Sequence, residues 1–206
     1  MAISFVDANS AIANSVAIPT HETGDLLMVV ARRASSATPP SLPDGSWTTI
    51  QEGATGSSVS VRVGYKFAAA PGELSGTWTN ASVVGVGVWR GVDSIGDSAK
   101  IESNSVLQFP ALTLTVTDGS SWVACFNGRQ TATGVEPSDA ANLLLREECT
   151  AATPRGAILD SNGGVASWAA ANCDTGGTTW VNVSVELVAA VEGGAFLSTP
   201  IAVHIS

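Results

Sequence analysis

The sequence predicts an all-β protein, an antiparallel β-sandwich of jelly-roll-like form, and three observations carry that prediction. The first is a set of two-residue ladders: Val59, Val61, Val63, Tyr65 and Phe67; Val84, Val86 and Val88; Leu112, Leu114 and Val116; Val181, Val183, Val185 and Leu187. Successive Cβ atoms of a strand point to opposite sides, so each ladder places its side chains on one face. The second is that polar residues, among them Arg62, Thr113, Thr115, Asn182, Ser184 and Glu186, occupy the alternate positions. That pattern reads as an antiparallel sheet with one wet side. The third is regular punctuation by turn residues, as in the run from Ala37 to Gly45 and at Pro71-Gly72, Asp118-Gly119 and Asn162-Gly-Gly164. Short, evenly punctuated strands favour a sandwich or jelly roll.

Taken in order, strands are expected at Ile3 to Val6, Ala11 to Ile18, Asp25 to Arg32, Trp47 to Ile50, Ser57 to Phe67 and Ser82 to Arg90. The second half adds Val106 to Phe109, Ala111 to Thr117, Ser121 to Asn127, Leu143 to Glu148, Arg155 to Leu159, Val165 to Ala171 and Thr178 to Val188. A last strand is expected at Ile201 to Ile205, and a helical turn at Ala140 to Leu144, capped by Ser138 or Asp139 after Pro137. The glycines of Val191-Glu-Gly-Gly194 break the pattern, so residues 1–190 read as one sandwich domain and 191–206 as a hinge with a C-terminal strand or arm. That arm completes the chain's own sheet or adds a strand to a neighbouring subunit.

The order also hints at two pseudo-repeated halves. The segments Gly24 to Arg33 and Ser120 to Arg129 both open a strand that ends in arginine, and Trp78 and Trp168 each precede a long valine ladder. Two Greek keys contain two such halves; chance similarity between simple β sequences is the other reading.

Composition bounds the function. At 206 residues the chain can bury one sizeable core. Charged residues are 13% of the chain, about half the usual share, which suits burial against neighbours. Nine basic against 18 acidic residues give a net charge of -9, which argues against nucleic acid and anionic lipid as partners. No apolar run approaches the ~20 residues of a membrane-spanning helix, and the start lacks the features of a signal peptide.

The three cysteines, Cys125, Cys149 and Cys173, show no metal-binding spacing and read as thiols or as one disulfide, within or between chains. With only His21 and His204 in the chain, and no Gly-x-Ser-x-Gly elbow, no catalytic or metal-binding set stands out and no cofactor is expected. His21 reads as a solvated turn residue and His204 as part of the terminal strand. Neighbouring carboxylates at Glu136 with Asp139 and at Glu147 with Glu148 are too ordinary for a glycosidase pair, and the oxygen-rich segments Asp160 to Gly164 and Asn172 to Asp174 fit turns as well as calcium. Six tryptophans dominate a small aromatic set. Most fill the core; Trp78 and Trp168, flanked by polar residues, are the candidates for contact with a glycan or a partner.

The succession Gly24-Asp-Leu-Leu-Met-Val-Val-Ala, Gly45-Ser-Trp-Thr-Thr-Ile, Val61-Arg-Val-Gly-Tyr-Lys-Phe-Ala and Val86-Gly-Val-Trp-Arg-Gly-Val resembles a β-sandwich family recurring in virion proteins of tailed bacteriophages. The resemblance spans about Gly24 to Val92, with a looser echo to Val188. It implies a structural subunit that decorates or reinforces the capsid head, or a tail component. Such a subunit is made in the host cytoplasm, resides in the virion beside other virion proteins, and forms a homo-oligomer such as a trimer. The resemblance carries no active-site residues. The rival expectation is a carbohydrate-binding module that recognises host surface glycans.

Overall fold

The computed structural model describes residues 1–103, 107–130, 142–149, 153–174 and 179–190, the side chains of 172–174 excepted. It is an all-β sandwich of two five-stranded antiparallel sheets. The first sheet contains β1 (Ser4–Ala11), β2 (Leu26–Ala34), β3 (Thr48–Thr55), β4 (Val59–Phe67) and β5 (Val83–Arg90) in the order β1-β5-β2-β4-β3. The second contains β6 (Val92–Ser103), β8 (Trp122–Arg129), β9 (Leu144–Cys149), β10 (Gly156–Asp160) and β12 (Trp180–Ala189) in the order β6-β12-β8-β10-β9. Two short strands, β7 (Leu107–Phe109) and β11 (Ala171–Asp174), pair with each other.

Numbered within its own half, each sheet has the same strand order, 1-5-2-4-3. One half of the chain thus builds one whole sheet, and the likeness to a jelly roll lies in the two packed antiparallel sheets. The ladders agree with the segment pairing seen in sequence. Leu26 opposes Trp89 where β2 meets β5, and Trp122 opposes Leu187 where β8 meets β12. The sheets face each other in a pseudo-twofold manner, with β1 against β9 and β3 against β6. A single residue, Gly91, joins them. Its φ of +77° and the Ala2 carbonyl, which an added Cβ would strike, both require glycine.

The ladders fill the space between the sheets. Leu26, Met28, Val30, Val61, Val63 and Trp89 meet Phe126, Ile158, Val181, Val183, Val185 and Leu187. The lateral edges are bonded across: Ser10 Oγ donates to Glu147 Oε1 (2.6 Å), Gln51 Nε2 to Ser98 Oγ (3.0 Å) and Thr55 Oγ1 to the Trp180 carbonyl (2.6 Å). A deeper tie links β5, β10, β9 and β1. Asp160 accepts from Trp89 Nε1 (3.0 Å) and Arg146 Nε (2.9 Å), and the Arg146 guanidinium lies over the Phe5 ring.

The wet faces expected from the alternating polar residues are absent. Each outer face is covered by the chain's own loops. On the first sheet, Val16, Trp47, Ala68 and Trp78 cover Leu27, Val29, Val84, Val86 and Val88. On the second, Leu107, Phe109, Leu112, Leu114 and Trp168 cover Val123, Cys125 and Leu159. The polar ladder of β12 anchors this cover: Asn182 Nδ2 donates to the Gln108 carbonyl (2.8 Å), and Ser184 Oγ to the Pro110 carbonyl (2.9 Å). The same cover explains two corrections. The ladder at Leu112, Leu114 and Val116 forms no strand, because the amides of Thr113, Thr115 and Val116 donate to Asp97 and Glu186 carboxylates instead of a neighbouring strand. In the segment from Ala11 to Ile18, Ala11 ends β1 and the rest is likewise a loop, held down by buried Val16. Val165 to Ala171 makes only isolated bridges at Val165 and Trp168 before β11 begins. β6, too polar to read as a strand, is a half-buried edge strand paired on one side. The helical turn expected at Ala140 to Leu144 does not form in its described part, where Asn142 and Leu143 lead straight into β9 at Leu144; Ala140, Ala141 and the capping candidates Ser138 and Asp139 lie outside the described residues, as does the strand expected at 201–205.

Candidate binding cleft at one pole of the sandwich

Both ends of the described chain meet at one pole of the sandwich. The Met1 ammonium donates to the Ala190 carbonyl (2.9 Å), and the Ala190 amide donates to the Gly91 carbonyl (3.0 Å). Met1 therefore sits between two clefts that the pseudo-symmetry relates. Each lies where the loop entering a half's second strand meets the end of that half's fifth strand.

The cleft of the first half, ≈ 300 Å³, is lined by Glu22 to Asp25 and by Arg90 to Val92. An ion pair occupies its wall. Arg90 Nε and Nη2 donate to the two oxygens of Asp25, each at 2.9 Å, and the Glu22 amide adds a third bond to Asp25 Oδ2 (2.8 Å). The guanidinium holds the Asp25 carboxyl below the usual carboxylate range, against the opposing effect of burial.

The cleft of the second half, ≈ 460 Å³, is lined by Met1, Ile3, Asp118, Ser120, Trp122 and Gly164 among others. Trp122 forms its apolar wall. Of the six tryptophans it alone is half-buried; the other five are buried. Asp118 stands on the rim in a tight turn, its Oδ1 accepting from the Ser120 amide (2.9 Å) and hydroxyl (2.6 Å). Those bonds hold its carboxyl below the usual range and fix its direction. Behind the rim lies Glu186. It is fully buried and accepts from the Thr115 amide (2.8 Å) and hydroxyl (2.8 Å), the Asp97 amide (3.0 Å), the Val116 amide (3.1 Å) and the Ser121 hydroxyl (2.8 Å). Burial alone would raise its pKa; the backbone and hydroxyl donors outweigh that and hold it below the ordinary glutamate value. The arrangement offers one indole wall, one oriented carboxylate and backbone groups, which is the equipment of a binding cleft.

The residues singled out in the sequence lie elsewhere. Trp78 is fully buried on the outer face of the first sheet, its Nε1 donating to the Ser75 carbonyl (3.1 Å), with its ring edge on Trp47. Trp168 is 7% exposed under the loops of the second sheet, its Nε1 donating to the Pro110 carbonyl (3.1 Å). Neither indole presents a face to a sugar ring, because each is a lid on its own half's outer core. Cys125 and Cys149 are buried thiols on different strands, and the Cys173 side chain lies outside the described residues. His21 is buried rather than solvated. Its Nδ1 donates to the Pro19 carbonyl (2.7 Å) and its Nε2 accepts from the Glu73 amide (3.1 Å), pinning two loops together. Glu136, Asp139 and His204 lie outside the described residues. Glu147 is engaged with Ser10, and Asp160 with Arg146 and Trp89. Trp122 was legible as an aromatic residue at a strand start, but nothing in the sequence separates it from the five buried indoles.

Comparison of the chain with protein-family models, with curated proteins and with solved structures finds no match in any of the three.

Proposed function

We propose that the chain is a structural subunit of a tailed-bacteriophage virion, a capsid-decorating or head-surface subunit or else a tail component. In this reading it assembles as a homo-oligomer beside other virion proteins and does no catalysis. The observation that supports the reading, beside the sequence resemblance, is a two-sheet slab whose outer faces are both covered by the chain's own loops. Its core, buried between the sheets and again beneath both outer covers, makes it stiff. A low charge content limits the desolvation cost of subunit contacts.

The test is the absolute mass of the protein in solution by light scattering, with and without reductant. A stable oligomer whose mass ignores reductant supports a building block held by buried surface. A monodisperse monomer at all concentrations overturns the homo-oligomeric form of the proposal.

A further inference from the structure

We infer that the Trp122 cleft is a binding site for a neutral pyranose sugar, a second activity independent of virion assembly. The internal repeat supplies the control for this argument. The position equivalent to Trp122 is Leu26: each opposes the same point on its half's fifth strand, Leu26 facing Trp89 and Trp122 facing Leu187. Each pair thus holds one tryptophan and one leucine with the strands exchanged: Trp89, on the fifth strand of its half, is fully buried, whereas Trp122, on the second strand of its half, is only half-buried. The ion pair that walls the first cleft is also missing from the second, where Ser121 and Val188 stand in place of Asp25 and Arg90. The first half buries its indole here behind a charged wall; the second half, which lacks that wall, packs Trp122 against the inter-sheet core and leaves part of it on the cleft.

The chemistry of the remaining groups matches one face of a hexopyranose. An indole is large, flat and apolar with a polar edge, and it suits the C–H face of a sugar ring. Sugar hydroxyls need acceptors and donors at the rim. Asp118 supplies an oriented acceptor, since both bonds from Ser120 go to Oδ1. The volume of ≈ 460 Å³ lies within the range of small-molecule sites. A net charge of -9 and the Asp118 carboxylate disfavour uronic or sialic acids, which leaves neutral sugars.

The experiment is saturation-transfer NMR on the full chain with methyl α-D-glucopyranoside, methyl β-D-galactopyranoside and N-acetylglucosamine at millimolar concentrations. Glucuronate serves as the charged comparison. Transfer to the ring protons of at least one neutral sugar is expected, with little to glucuronate. The variant Trp122→Leu carries the first half's residue at this position, opposite Leu187 rather than a tryptophan, and circular dichroism checks that it folds. It should weaken binding about tenfold, the loss of one stacking contact. Asp118→Asn should weaken it while leaving the fold intact. Absence of transfer from the native chain to all three neutral sugars overturns the assignment, as does binding that survives Trp122→Leu unchanged.

Discussion

Replacing Glu186 by glutamine isolates the carboxylate that ties the outer cover of the second sheet to β12. Its Oε2 receives three hydrogen bonds and its Oε1 two, and every partner is a donor. A carboxamide must turn its NH2 group toward one of these sets. The less costly choice faces the Val116 amide and the Ser121 hydroxyl; the hydroxyl can rotate to accept, but the amide cannot. One buried N–H is then left without a partner, and the bonds that survive lose their charge assistance. With hydrogen bonds to charged groups worth about 1.5–3 kcal/mol each, the expected cost is roughly 3–5 kcal/mol. For a domain of this size that is a fall in Tm of about 6–20 °C. Calorimetry at pH 7 measures the shift, and hydrogen exchange reads the Thr115 and Val116 amides, which should open first. The pH dependence follows from the lowered pKa of Glu186 in the fold. A depressed carboxylate stabilises fully above its unfolded pKa of about 4.3 and loses that contribution as pH falls through the folded value. The variant and the parent should therefore differ most at neutral pH and converge in acid. A variant that melts within about 2 °C of the parent at pH 7, with unchanged exchange at both amides, would refute the reasoning.

Asp25→Asn removes the partner of Arg90. Because the folded Asp25 pKa is lowered, the loss in Tm should be full at pH 7 and fade in parallel melts as the pH falls through that lowered value. Gly91→Ala forces a Cβ into the left-handed region and against the Ala2 carbonyl, so chemical denaturation should register a loss of about 1–3 kcal/mol. Since Cys125 and Cys149 are both buried, mass spectrometry after brief alkylation of the native protein should find neither labelled, and denaturant should expose both. Rapid native labelling of Cys125 would show that the cover over the second sheet opens readily.

The inner ladders were the most legible part of the fold, because residues buried between two sheets must be apolar at every second position. Val59, Val61 and Val63, and Val181, Val183 and Val185, are such residues, and all lie in the inter-sheet core. Legibility failed at the outer faces. The spacing of Leu112, Leu114 and Val116 is a strand's spacing, yet the backbone there bonds to carboxylates, a choice set by Asp97 and Glu186 far away in sequence. Asn182, Ser184 and Glu186 read as solvent-facing for the related reason that a buried polar residue with satisfied partners has the same letter as an exposed one. β6 escaped notice because an edge strand needs only half an apolar face. The cleft was invisible in the sequence, since its defining property is a difference between Leu26 and Trp122 that only the superposable ladders reveal.

The assignment of one sheet to each half of the chain has a consequence for biosynthesis. Once residue 90 has left the ribosome, every strand of the first sheet is present, and its pairing can proceed without waiting for the second half. Its outer face can close at once, since Val16, Trp47 and Trp78 belong to the same half. Its inner face cannot. Leu26, Met28, Val30, Val61, Val63 and Trp89 stay uncovered until the last described strand, β12, has been made and docked. The nascent chain thus carries one finished side and one adhesive side through half of its synthesis, and the rate of translation past Gly91 sets how long that adhesive side is open to the wrong neighbour.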